Sequence, residues 1–305
     1  CTVTHEIAGN WIEGAGIEAL LNPFLSGLSL PWLSAAPQLP EFGGVGILGL
    51  TGGDMTATYA IENNFVVDNI VGLAGIEFLG ANATYSVLDN VFFDNAIGTA
   101  LIAIDGAVLD FTIERNLYWG GLLSELVNPF LPAGVTMPYT DLMGIFVGSF
   151  SLGGTPSAVT GTIADNWIYD HLIGIGTLAA GPNATLDLTI DYNELSGSGL
   201  GVLSSIPAGD IATFLAANPG LVGALGALGI PPVPVLISDN YGLAGIASGS
   251  IFGAQTTLTI TDNALDYFAL SAAMVAWQGG TIGLTLTDNT AHGGSVWWAG
   301  AGGAV

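Results

Sequence analysis

One short phrase recurs along the chain: an apolar residue, two intervening residues and an Asn, as in ISDN at 237–240, ITDN at 260–263 and LTDN at 286–289. Aligned on that Asn, the anchors are Asn10, Asn64, Asn90, Asn116, Asn166, Asn193, Asn240, Asn263 and Asn289. Five of the gaps are 26, 26, 27, 23 and 26 residues; the other three, of 54, 50 and 47, hold one period plus an insert of similar length. A fixed period of this size marks an array in which each repeat buries its apolar face only against its neighbours.

Three residues before the anchor stand Ile7, Ile61, Val87, Ile113, Ile163, Ile190, Ile237, Ile260 and Leu286. Seven residues after it stand Ile17, Val71, Ile97, Leu123, Ile173, Leu200, Leu270 and Val296, with a slip to Ile246 after Asn240. Alternation by two in TLTITDN and LDLTIDYN predicts short strands, and no stretch has the apolar period of crossover helices. The chain is expected to make a strand, turn at Asn, make a second strand and return one layer higher.

This pattern resembles the right-handed parallel β-helix, the solenoid of pectate lyases and polygalacturonases. The resemblance covers nearly the whole chain outside three inserts and implies one all-β domain, 1–305, of about nine coils. In that family an inward Asn at a tight turn stacks on the Asn of the next coil. An Asn tolerates left-handed backbone, and its amide serves backbone groups that burial would otherwise leave unpaired. All nine anchors are therefore expected to form a structural ladder.

The position before the anchor is Asp at 89, 165, 239, 262 and 288, and holds the only basic residue of the chain, Arg115. Alternation turns these side chains outward, so Arg115 is expected to pair with a neighbouring Asp. Asp239, Asp262 and Asp288 would stack, as would Asp68 and Asp94, four residues after their anchors. Two readings stay open: a solvated acidic edge, or calcium held by the stacked carboxylates. No other cofactor is implied.

Composition narrows function. With Lys+Arg 1 against Asp+Glu 25 and a net charge of −24, nucleic acid is excluded as a partner. The resembled lyases need basic side chains that this chain lacks. Glycoside cleavage by Asp and Glu alone stays open. His171 and His292 are isolated, and His5 falls at an inward strand position.

The inserts, 20–42, 125–141 and 205–234, are rich in Leu, Phe, Pro and Ala, unlike polar loops. Asn-Pro-Phe-Leu begins 12 residues after the anchor in the first two, so all three are expected to leave from one corner. Phe24, Trp32, Phe130 and Phe214 in them, with Trp297 and Trp298 in the tail, are candidate contacts with other subunits. The inserts folding back on the solenoid, or a membrane-crossing segment at 220–237, are the alternatives. Cys1, the sole cysteine, resembles the lipidated first residue of a processed lipoprotein; a free thiol or an intersubunit disulfide is the alternative. Asn82-Ala-Thr and Asn183-Ala-Thr are glycosylation sequons on one corner.

Bare solenoid ends expose strand edges that invite another chain. The expected function is an extracellular structural protein, not an enzyme, that polymerises head to tail into a filament or surface layer. Its partners would be copies of itself, with membrane contact only through lipid on Cys1. The alternative is a glycan-binding or glycoside-cleaving β-helix using Asp and Glu only; a closed trimer is a third arrangement.

Overall fold

A computed structural model describes residues 1–19, 39–131, 135–200, 241–292 and 295–301. They form an all-β architecture of parallel strands with a β-helix-like arrangement. One sheet is a regular stack of eight: β1 (Thr2–Ala8), β4 (Thr56–Glu62), β6 (Asn82–Leu88), β8 (Val108–Glu114), β11 (Ser157–Ala164), β13 (Ala184–Asp191), β16 (Gln255–Thr261) and β19 (Thr281–Thr287). The second sheet has thirteen strands and folds around a corner. Its long members, β5 (Phe65–Phe78), β7 (Val91–Ile104) and β12 (Trp167–Ala180), run through that corner. Beside their first residues lie the short strands β2 (Trp11–Glu13), β9 (Leu117–Trp119), β14 (Glu194–Gly197), β17 (Ala264–Asp266) and β20 (Thr290–His292). Beside their last ten or so lie β3 (Gly43–Gly52), β10 (Asp141–Phe150), β15 (Gly242–Ile251), β18 (Phe268–Trp277) and β21 (Ser295–Ala301).

The row three residues before the anchor pairs in register from Ile7 to Leu286, and Ile61, Val87, Ile113, Ile163, Ile190 and Ile260 are almost wholly buried. At ~25 cal/mol per Å² of apolar surface, such rows are the main stabilising term of the stack. At the turn, each Asn donates its backbone N–H (2.9–3.1 Å) and its side-chain amide (2.9–3.0 Å) to Oδ1 of the next Asn. The order is 10, 64, 90, 116, 166, 193, 263, 289. Asn116 is fully buried, and its amide also donates to Val87 O and Glu114 O. Leaving such groups unpaired costs ~1–3 kcal/mol each, so the column is under strong constraint.

Four expectations are corrected. The left-handed residue is not the anchor but the one before it: φ is 56° at Asn63 and Asp89, 54° at Arg115, 52° at Tyr192 and 55° at Asp288. Asn193 bonds directly to Asn263, and β13 pairs directly with β16, so no turn stands between them. Asn240, with Asp239 and Ile237, lies outside the described residues; among the described residues this sheet has eight strands. The row seven after the anchor does not contain Ile17, Leu123 or Leu200; Val45, Met143 and Ala244 pair with Val71, Ile97 and Ile173 instead. The excursions also leave earlier than expected, four residues after the anchor, at Gly14, Gly120 and Gly197.

The chain regains the sheet at Gly43, Asp141 and Gly242, whose register partners are Asn69, His171 and Phe268, each five residues after its own anchor. All three excursions therefore share one corner. A Cβ on Gly14 would fall 2.0 Å from Asp68 O, and one on Gly120 would fall 2.3 Å from Asp94 N. Only glycine lets the departing backbone pass that close to the next turn. The second excursion carries a short helix α1 (Leu122–Val127) and a 3-10 turn at Asn128–Phe130.

Candidate assembly edges and an acidic corner

The Asn column has unlike ends. At Asn10 the amide donates to Asn64 Oδ1 and Ala8 O, and Oδ1 has no donor among the described residues. At Asn289 Oδ1 accepts from Asn263 and the amide donates to Ile260 O and Thr287 O, while the backbone N–H has no partner among the described residues. One edge thus offers an acceptor and the other a donor. The rings of His5, Tyr59 and Tyr85 stack at 5.0 and 4.5 Å along the same axis, so His5 does point inward, yet it is exposed because β1 is an edge strand.

The outward Asp column is explained by backbone. Arg115 and Tyr192 take the same left-handed φ as Asp89, Asp165, Asp262 and Asp288, so the position demands that conformation rather than a carboxylate. Asp and Asn predominate because their short polar side chains tolerate it best. Arg115 Nε and Nη2 each lie 2.9 Å from Asp89, and Nη1 lies 3.1 Å from Glu114. The guanidinium holds the Asp89 carboxyl below the ordinary range. Asp262 and Asp288 are exposed on neighbouring turns. Among the described residues no group of three or more His, Cys, Asp or Glu side chains forms a metal site, at this column or at Asp68 and Asp94.

Asp68 and Asp94 instead belong to an acidic corner where the second excursion leaves. Four residues after their anchors, Asp68, Asp94 and Asp170 turn the corner with φ of 59°, 49° and 60°. Asp94 Oδ1 accepts from Gly121 N–H at 2.7 Å and from Tyr139 O–H at 2.5 Å. Asp141 is buried, and its Oδ1 accepts Leu123 N–H at 3.0 Å. Trp119 Nε1–H donates to Asp170 Oδ2 at 2.7 Å. Burial, then repulsion from Asp94, Glu125 and Glu13, pushes the Asp68 carboxyl up to about 6. Burial also raises Asp141 well above the usual range, Asp170, and Glu125 on the rim. His171, beside Asp141 in register, is buried, pushed down to about 4 by desolvation and so neutral. The corner gathers acids that keep their protons longer than usual; the single basic residue of the chain is engaged elsewhere.

Sequence reasoning paired Asp68 with Asp94 but missed Asp170, which shares their offset from the anchor and was findable by spacing. Glu13, Glu125, Tyr139 and Asp141 reach the corner through strand register and an excursion, which spacing does not encode. Cys1 is exposed and free. Asn82 and Asn183 are exposed, and Asn183 Nδ2 donates to Gly154 O at 2.8 Å. Phe130 ends the 3-10 turn, half-buried; Phe24, Trp32 and Phe214 lie outside the described residues. Trp297 and Trp298 are in β21, paired with Ala273 and Met274. No helix among the described residues is long and apolar enough to cross a membrane, and 220–237 lies outside them. Comparison with family models, with curated proteins and with solved structures found no match.

Proposed function

We propose that this chain is a structural protein of the cell surface that joins copies of itself head to tail. In this reading it is a right-handed parallel β-helix of eight turns with an Asn ladder, like the pectate-lyase type in architecture but not in activity. The right hand follows the rule for crossovers between parallel strands.

The observation that carries the reading is the state of the outermost strands of the regular sheet. β1 and β19 are each seven residues long, contain neither Pro nor Lys, and pair on one side only among the described residues. Natural proteins normally blunt such edges. In β1, Cys1 O and Gly9 N–H bond to the neighbouring turn, so Thr2, Thr4, Glu6 and Ala8 turn their backbone groups to the open side. The free acceptor of Asn10 and the free donor of Asn289 match head to tail and not head to head. A second copy in parallel register would extend the rows, the sheet and the Asn ladder together.

Exposed Cys1, Asn82 and Asn183 suit a lipidated or glycosylated surface protein, to be read from the mass of the native chain. Sedimentation velocity and electron microscopy of the full chain test assembly. Wild type is expected to form rods many subunits long. Thr4→Pro removes one outward N–H and no bond within the sheet, a change edge strands tolerate. It should shorten the rods at least tenfold with unchanged circular dichroism. Equal lengths, or a wild type that stays monomeric at high concentration, would overturn the reading.

One feature favours the alternative: a shallow groove of about 360 Å³ on the outward face of the regular sheet, where Asp110 and Asp187 flank Thr160. Binding of soluble oligosaccharides, lost in Asp110→Asn, would move the assignment to glycan recognition.

A further inference from the structure

The second sheet is apolar on both faces. From β3 through β5, β7, β10, β12 and β15 to β18, seven strands run in register. Their inward positions hold core residues such as Leu73, Leu101, Ile145, Val147, Ile175 and Ile246, with buried polar residues Thr51, Glu77, Thr99, Ser149, Thr177 and Ser248 among them. Glu77 accepts from Tyr85 O–H at 2.7 Å inside the core. The outward positions, three on each of the seven strands, hold only Leu, Ile, Val, Phe, Trp, Ala and Gly. By contrast, the outward face of the regular sheet is rich in Thr, Asp and Glu. A solvated antiparallel or mixed sheet alternates, apolar in and polar out.

This face is also flat. A Cβ on Gly52 would lie 2.5 Å from the Phe78 ring, one on Gly148 2.5 Å from the Phe150 ring, and one on Gly249 2.9 Å from Leu178. The large side chains therefore lie over glycines of adjacent positions instead of standing up from the sheet. Leu48, Leu50 and Trp277, at its two ends, are 57, 56 and 46% exposed. Strand spacing of ~4.8 Å and three alternate positions per strand make a patch of roughly 600 Å². That lies at the upper end of the largest apolar patch on a typical monomer, about 300–600 Å². It also approaches the ~800 Å² per partner of a stable interface.

We infer that this face packs against the same face of a second copy, sheet on sheet. The chemistry selects that occupant. A bilayer is disfavoured, because the chain has one basic residue and a net charge of −24, so no Lys or Arg fringe draws it to anionic headgroups. A partner with a charged surface would bury charges against a face that has no group to pair with them. A second copy brings a surface of the same flatness, size and neutrality, and two such faces fit at the ~10 Å separation of packed sheets. The inference extends the head-to-tail reading: rods grown along the axis would also pair side by side, each added subunit repeating the lateral contact.

Ile102 and Leu178 are half-buried outward residues on either side of Gly148, at the centre of the face. In the full chain, Ile102→Glu with Leu178→Glu should halve the width of assemblies, or abolish dimers, while leaving length and circular dichroism as in wild type. Thr4→Pro should do the reverse, giving short particles of full width, so failure of either contact is told apart from failure of the other. A second measurement does not depend on a tolerated charge. A spin label on Leu178→Cys in a Cys1→Ser background should show dipolar coupling between copies, lost on dilution to monomers. Three results would overturn the inference: a mobile label without coupling; an immobile label in a strict monomer, meaning that the chain covers its own face; or partition onto phosphatidylcholine vesicles in place of pairing.

Discussion

At the residue scale, the corner between the short and long strands sets the pH response. The Asp68 carboxyl, ordinarily near 3.8, is held up to about 6 by burial and by Asp94, Glu125 and Glu13. A raised carboxylate costs nothing below the unfolded value, where both states are protonated, and its full penalty is present above the folded value. Thermal stability should therefore fall as pH rises from about 4 to about 6, with Asp141, Asp170 and Glu125 acting in the same direction. Asp68→Asn keeps a residue that tolerates φ of 59° and removes the charge. Discounted for its partial exposure, the gain at pH 7 is about 1 kcal/mol, or roughly 2–4 °C in Tm. No gain is expected at pH 4, and calorimetry at the two pH values decides it. The sequence made the Asn period and Asp68 and Asp94 readable, because both depend only on spacing. It did not reveal which corner residue is left-handed, since Asn and Asp both favour that backbone and stand side by side. Arg115 and Tyr192, out of place in a carboxylate column, were the clue that φ is what that position selects.

The element scale is where spacing misled. Ile17 and Leu123 are apolar and correctly offset, so they read as members of the second row, although each lies beyond the point where its excursion leaves. The shared Asn-Pro-Phe-Leu drew the branch point eight residues too late. At the fourth position after the anchor the branching turns carry glycine, Gly14, Gly120 and Gly197, where the uninterrupted turns among the described residues carry Asp68, Asp94, Asp170 or Tyr267. In those turns the fourth and fifth positions are consecutive, as in Asp94-Asn95. Deleting 121–140 would join Gly120 to Asp141 and recreate that step, with a glycine free to adopt positive φ. The shortened chain should fold with the β content of wild type and a Tm within a few degrees, since the rows and the Asn column are untouched. A collapse of the circular dichroism signal would mean that α1 and its connections are needed to hold the corner. The apolar outer face was partly legible too: IVGLAGIEF and its counterparts are apolar at consecutive positions, which is how a strand covered on both sides reads.

For the whole molecule, charge and apolar surface oppose each other. A subunit carrying −24 repels its copies, and only Arg115 offsets any of it locally, at Asp89 and Glu114. Against this stand contacts made of backbone hydrogen bonds at the edges of β1 and β19 and of apolar side chains on the flat face, none of which depends on charge pairing. Screening shortens the repulsion to ~10 Å at 0.1 M salt and ~3 Å at 1 M, and leaves the apolar and hydrogen-bonded terms in place. Salt should therefore promote assembly, opposite to its effect on a complex held by ion pairs. Lowering pH towards 5 should act in the same direction at low salt, because Asp68 and its raised neighbours take up protons. Light scattering against sodium chloride at pH 7 is expected to rise monotonically between 0.01 and 1 M, values set by the screening lengths above. Thr4→Pro should show a shallower rise that reports lateral pairing alone, and the Ile102→Glu, Leu178→Glu variant one that reports lengthwise growth alone. Scattering that falls with salt would mean that attraction between charges, and not the open edges and the neutral face, brings the copies together.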